Sequence, residues 1–300
     1  MRAYLQLVRL PNVFTAMADV LLGYLFTHAR LEPAGHFALL LAASSMLYLA
    51  GMVLNDYFDQ EQDARERPAR PLPSGRVTPQ AARRLGGALL VGGTACGWAA
   101  TIVAGDPRPG VVATLLAAAV VLYDGVLKRT ALAPAVMGAC RTLNVLLGLS
   151  LSPDPWQAVH YVLAAGVGVY IAGVTLFART EARTSGRGQL AAGLVIFLVG
   201  IGLLASLPRW ASGQEWPPIL PPERWDLFWL ALAAVITWRA LRAVIEPVPA
   251  NVQDAVRNCI FSLIILDAAA VLAVQDRFWA LVILALLIPT MTLGRWLYAT

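Results

Sequence analysis

Charge is scarce in this 300-residue chain: Asp, Glu, Lys and Arg make up 14% of it, while 58% is hydrophobic, beyond the roughly half that soluble domains carry. That balance excludes a soluble globular enzyme, and it excludes a disordered chain, which needs the opposite composition. Cysteine is nearly absent. Cys96, Cys140 and Cys259 fall in three separate apolar runs with no C-x-x-C pair, so they read as packing residues rather than as a disulfide framework or a zinc site. His28, His36 and His160 lie near the ends of apolar runs and read as interface residues. Lysine occurs once, at Lys128, and the remaining 22 of 23 basic residues are Arg spread over several loops, so the net charge of +5 does not make a nucleic-acid surface. A Walker-type nucleotide loop is missing, as is any Ser-His-Asp arrangement on one face, which leaves ATP-driven transport and hydrolysis without support.

What the chain has instead is apolar length. Ten runs near 11–29, 36–57, 79–104, 109–126, 133–151, 158–178, 188–207, 224–244, 255–274 and 278–297 each approach the ~20 residues that span a hydrocarbon core. They predict an all-α fold, a polytopic transmembrane bundle of nine to ten helices forming one domain over residues 1–300. Nine is the alternative because only Gln275, Asp276 and Arg277 separate the last two runs. The N-terminus runs through Arg2 and Arg9 into the first run without a clear cleavage site, and that run reads as the first membrane helix.

Basic residues enrich cytoplasmic loops, and placing the N-terminus inside puts 17 of them on the cytoplasmic side against 5 outside, with Arg141 within the fifth run. This predicts a multi-pass protein of the inner membrane with a cytoplasmic N-terminus. Trp156, Trp210, Trp216, Trp225 and Trp279 fall near the predicted outer ends and read as interfacial anchors. Gly86, Gly87, Gly92, Gly93 and Gly97 crowd the third run, include a G-x-x-x-G, and predict close helix packing.

The chemistry is expected after the second run. Asn55, Asp59 and Asp63 stand at i, i+4 and i+8, so a helix continuing through them would carry all three on one face. Like charges at that spacing repel, and carboxylates near the membrane core are costly. A compensating cation is required. Mg²⁺ suits the site because it takes oxygen ligands and commonly binds one or two carboxylates together with substrate phosphates. The alternative is a solvated acidic helix end neutralised by Arg65, Arg67 and Arg70.

With Asn55-Asp56-Tyr57-Phe58-Asp59-Gln60-Glu61-Gln62-Asp63 followed by Arg70-Pro71-Leu72-Pro73-Ser74-Gly75, and with Tyr123-Asp124-Gly125-Val126-Leu127-Lys128-Arg129 after the fourth run, the chain resembles the UbiA superfamily of intramembrane prenyltransferases. A reduced second motif at Val174, Glu181 and Ser185, the stretch from Asn144 to Gly148 and the segment Val252-Gln253-Asp254-Ala255-Val256-Arg257 are similar to its EboC branch. The resemblance implies a helical bundle around a central, laterally open cavity, with Mg²⁺ and a polyprenyl diphosphate held at its cytoplasmic side. It implies that Asn55, Asp59 and Asp63 hold metal, that Arg70, Tyr123 and Lys128 contact the diphosphate, and that Asp59, Asp63 and Lys128 serve catalysis.

The family's second aspartate motif falls at the end of the sixth run, where its three positions read Val174, Glu181 and Ser185, with Arg179 and Arg183 interleaved. One carboxylate of three is kept. A single Mg²⁺ with Glu181 as an added metal and catalytic carboxylate, and with Arg179 and Arg183 as bidentate phosphate donors, fits that pattern. So does a lipid-phosphate site without chemistry.

Asp19 and Asp267 are ionisable residues at membrane depth, which marks them either for the cavity or for helix–helix hydrogen bonds. Asn12, Asp19, Arg141 and Asn144 are accordingly candidates for substrate contact, Arg141 for the diphosphate or for pairing with Asp19. The expectation is a Mg²⁺-assisted transferase acting on a polyprenyl diphosphate and a small acceptor of unspecified identity. The competing class is a non-catalytic polyprenyl-phosphate carrier or flippase-like protein.

Overall fold

A computed structural model describes residues 1–181, 185–210 and 220–298, and among these every regular element is helical. The ten runs become ten helices: α1 (Val13–Thr27), α2 (Ala34–Phe58), α3 (Pro79–Ala104), α4 (Arg108–Gly125), α5 (Ala133–Leu149), α6 (Ala158–Ala178), α7 (Arg187–Ala205), α8 (Pro222–Ile245), α9 (Pro249–Val271) and α10 (Arg277–Ala285, continued by Leu287–Tyr298). Eight of the segments are long and apolar enough to cross a membrane, and α5 is a shorter apolar helix. The tenth, α9, has 23 residues but carries Asp254, Arg257 and Asp267. The last two runs are thus separate helices.

Local chemistry sets the helix ends. Thr78 Oγ1 accepts from the Ala81 N–H at 3.2 Å ahead of Pro79, whose missing N–H costs nothing at the first helical position. Gly105 closes α3 in the left-handed region at φ 70°. At the start of α6, Gln157 and His160 form a reciprocal cap, which gives His160 a structural role.

Consecutive helices pack side by side, and α9 returns against α1, so that the bundle closes into a ring. Glycine permits the tightest crossings. A Cβ on Gly148 of α5 would stand 2.5 Å from Val20 O, and one on Gly23 of α1 would stand 2.5 Å from Val145 O. The α3 glycines act as expected: Gly86 and Gly93 take Leu54 and Leu47 of α2, and Gly97 faces Ala113 of α4. Bulky apolar side chains such as Ile102 (80% exposed) and Val235 (73% exposed) cover the outside of the ring, as a lipid-facing surface requires.

One expectation fails here. Trp225 is fully buried against Trp229, with its indole N–H donating to Ala205 O at 2.8 Å, so it is a core residue and no interfacial anchor. Packing between α7 and α8 covers a position that the chain order places at a helix end. Trp210 is 46% exposed, as an anchor should be, while Trp216 lies outside the described residues.

Candidate active site

The helix does continue through the acidic row, with a brief interruption at Asp59. The N–H groups of Asp59, Asp63 and Arg67 donate to the carbonyls of Asn55, Asp59 and Asp63 at 3.1, 2.8 and 2.8 Å, leading from α2 into a short helix, Gln60–Glu66. Asn55, Asp59 and Asp63 therefore share one face, and that face lines a cavity of about 610 Å³ bounded by α2, α4, α5, α6 and α9 and by the segment preceding α1.

Asp56, Asp59 and Asp63 of this segment are each paired with a cation. Lys128 Nζ, from the turn after α4, contacts Asp59 Oδ2, and Arg129 Nη2 lies 3.7 Å from Asp59 Oδ1. Arg70 Nη1 donates to Asp63 Oδ2 at 2.6 Å. Arg70 is positioned by its own loop, because Leu72 and Val77 pack into a small apolar cluster with Leu7 and Val53. Asp56, which the spacing argument passed over, does not line the cavity; it accepts from Arg9 Nη2 at 2.7 Å and lies 3.4 Å from Arg70 Nη1, holding both arginines at the rim. Asp59 and Asp63 are only 8% and 4% exposed, so these pairs sit where Coulomb attraction is weakly screened.

Asp124 was also missed as a site residue, although it stands inside the Tyr123–Lys128 motif. It lines the cavity and accepts from Asn55 Nδ2 at 3.0 Å, an arrangement that leaves the Asn55 carbonyl oxygen as its free ligand atom. Tyr123 lines the same wall and is 8% exposed.

The opposite wall comes from the end of α6. Val174, Arg179 and Glu181 line the cavity; Glu181 accepts from Arg67 Nη2 at 3.5 Å, and Arg179 Nη2 donates to Thr130 O at 3.2 Å. Ser185 is 4% exposed, accepts from Thr180 Oγ1 at 2.7 Å, and does not line the cavity. Arg183 lies outside the described residues.

Deeper in, Arg141 and Asn144 of α5 line the cavity with Asn12, Ser44 and Tyr48. Asp19 does not, which corrects its reading as a substrate contact. It is fully buried behind Arg141, whose Nη1 donates to Asp19 Oδ2 at 2.8 Å, and Asn144 Nδ2 donates to the same oxygen at 2.9 Å. The glycine crossing between α1 and α5 makes so short a link possible. Tyr48 and Ser44 extend the Asn55 stripe by seven and eleven residues toward the N-terminus of α2, so the helical period, followed further back, would have found them.

Among the described residues no three Asp, Glu, His or Cys side chains converge into a metal site of their own. The donor set still fits Mg²⁺, which binds through one or two carboxylates and completes its sphere from phosphate and water. Asp59, Asp63 and the Asn55 carbonyl oxygen are oxygen donors on one wall, with Glu181 on the other.

The pattern of the UbiA prenyltransferase family matches residues 16–251. Among curated proteins, the digeranylgeranylglyceryl phosphate synthase of Methanopyrus kandleri is 31% identical over 259 residues, covering 81% of this chain and 93% of that one. The enzyme of the same name from Ignicoccus hospitalis is 36% identical over 158 residues, 52% of this chain and 49% of its own. Among solved structures, a UbiA homologue from Archaeoglobus fulgidus bound to DMAPP and Mg²⁺ superposes with a TM-score of 0.64 at 12% identity, over 94% of this chain and 99% of that one. A structure described for digeranylgeranylglyceryl phosphate synthase in membranes gives a TM-score of 0.64 at 19% identity, over 94% and 98%.

Proposed function

The chain belongs to the UbiA prenyltransferase family, and we propose that, as a prenyltransferase of that family, it moves a polyprenyl group from its diphosphate to a small acceptor with the help of Mg²⁺. The observation that carries this reading is the meeting of Asp59 and Asp63 with Lys128 and Arg70 at one end of a cavity whose middle is apolar. Its neighbours bound to DMAPP or GPP with Mg²⁺ support the same class of substrate and cofactor.

Asn55, Asp59, Asp63 and Glu181 would hold the metal. Bound there, it would supply positive charge to the departing diphosphate. Lys128, Arg70 and Arg179 exchange their present partners for phosphate oxygens and, together with Arg183, orient the diphosphate, with Tyr123 beside them. The allylic C1–O bond breaks with its electron pair on the diphosphate, an acceptor atom bonds C1, and the acceptor's proton passes to the released diphosphate. Leu47, Met52, Val120, Ile171 and Leu263 line the cavity around the developing cation and exclude water that would otherwise capture it.

The charge distribution supports a cytoplasmic N-terminus and a cytoplasmic cavity mouth in the inner membrane. The Asn144–Gly148 stretch and residues 252–257 support membership of the EboC branch.

Val174 and Ser185, which replace two carboxylates of the second motif, favour a second reading: a non-catalytic carrier of polyprenyl phosphate. Purified protein given geranylgeranyl diphosphate, with and without Mg²⁺ and candidate acceptors, separates the two. Mg²⁺-dependent release of diphosphate supports the transferase; tight binding without release under any condition supports the carrier.

A further inference from the structure

The cavity has a second polar end that the diphosphate chemistry leaves unused. Along α2 its lining changes from Asn55 through Met52 and Gly51 to Tyr48 and Ser44, polar, then apolar, then polar again. At 1.5 Å per residue, Tyr48 lies about 16 Å along the helix from Asp59.

Arg141 meets this deep end from α5. Its side chain is nine-tenths buried; Nη1 donates to Asp19 Oδ2 and Nη2 to Thr15 Oγ1, each at 2.8 Å, and its Cζ lies 5.1 Å from the centre of the Tyr48 ring. A guanidinium has five N–H groups, so three are left uncommitted in a side chain that lines the cavity. Its charge, however, is already balanced from behind. Asp19 is in direct contact, and Asp267 of α9, also fully buried, stands beside Asp19. The cavity therefore receives hydrogen-bond donors without surplus positive charge. An anionic group placed there would face the Asp19 carboxylate through one guanidinium in a weakly screening interior, whereas a neutral hydroxyl oxygen takes the donors without that repulsion.

We propose that Arg141, with Tyr48 beside it, is the acceptor-recognition end of the cavity, and that it selects an uncharged acceptor bearing several hydroxyl groups. One hydroxyl is held by Arg141 and Tyr48, and another is presented toward C1 of the prenyl chain. This rests on the transferase reading and names the class of its acceptor.

The test uses full-length protein in nanodiscs with Mg²⁺ and geranylgeranyl diphosphate, whose binding is first measured alone. Two matched pairs are offered: 1-O-hexadecylglycerol against its 3-phosphate, and myo-inositol against inositol 1-phosphate, with prenylated product measured by mass spectrometry. The neutral member of a pair should show kcat/KM at least about tenfold higher. Tyr48→Phe should raise the KM of that acceptor about tenfold while leaving the affinity for geranylgeranyl diphosphate unchanged. Asp19→Asn combined with Asp267→Asn keeps the side-chain shapes but removes the balancing charge, and should shift the preference toward the phosphorylated member about tenfold. Preference for the phosphorylated members by the wild type, refusal of both pairs, an unchanged KM in Tyr48→Phe, or an unmoved preference in the double variant each overturns the proposal. Failure of the wild type to bind geranylgeranyl diphosphate with Mg²⁺ is a different result, which removes the transferase reading on which the proposal rests.

Discussion

Arg70 Nη1 stands 2.6 Å from Asp63 Oδ2, so an arginine suited to phosphate and a carboxylate suited to Mg²⁺ hold each other at the end of the cavity. Asp59 and Lys128 repeat the arrangement. Each pair compensates its own charges, and under the proposed function each must open to admit a diphosphate and its metal.

Asp59→Asn and Asp63→Asn should each weaken Mg²⁺-dependent binding of geranylgeranyl diphosphate at least about tenfold, since a charge-assisted contact is worth about 1.5–3 kcal/mol. Chelating Mg²⁺ from the wild type should have the same effect. Calorimetry with the diphosphate measures both, and wild-type affinity in the two variants would make the row a solvated helix end.

Glu181→Gln should cut turnover strongly while leaving thermal unfolding nearly unchanged, because the Arg67–Glu181 pair is 41% and 30% exposed and such pairs add little to stability. Arg183→Ala should weaken diphosphate binding roughly ten- to a hundredfold. Val174→Asp, at a position that already lines the cavity, should lower the Mg²⁺ concentration for half-maximal activity. A variant with unaltered Mg²⁺ dependence would leave the second motif without a metal role.

Gly148→Ala should destabilise the fold by about 1–3 kcal/mol. The added Cβ would stand 2.5 Å from Val20 O and 3.0 Å from Gly23 Cα, both backbone atoms, so α1 and α5 must separate. A lowered unfolding temperature in detergent is the expected result; an unchanged one would mean that the crossing has slack.

Asp267→Asn should stabilise the protein by about 1 kcal/mol. Both carboxyl oxygens of Asp267 and Oδ1 of Asp19 are buried, the two acids stand side by side, and an amide at position 267 replaces one of them with a neutral donor beside Asp19. The unfolding temperature should rise, and a fall would show that the acid itself is needed there.

A cysteine at Glu66 should react with a membrane-impermeant maleimide only from the cytoplasm, and one at Asp154 only from outside. Both positions are exposed, at opposite ends of the bundle. Labelling of position 66 from the opposite side would invert the topology.

Much of this protein follows from local rules. In a bilayer the backbone must satisfy its own hydrogen bonds, so each long apolar run becomes a helix, and all ten do. The spacing of Asn55, Asp59 and Asp63 matches the helical repeat, so their common face follows from the same rule and the cavity end is legible as a row of ligands. What the local rules leave open is which faces meet. Asp19 reads equally as a cavity residue or as a helix–helix partner, with Arg141 among the candidates, and the fold chooses the second, sealing it behind Arg141, 122 residues away. Ser185 matches a ligand position by number but spends its hydroxyl on Thr180, and Trp225 stands at a helix end yet is enclosed by packing. The amino-acid sequence alone determined the helices and the acidic stripe, because a period of 3.6 residues is a property of each segment taken separately. Only the tertiary structure decided that Arg141 arrives at the deep end with its charge already balanced, because that depends on a close crossing of α1 and α5 between residues more than a hundred positions apart.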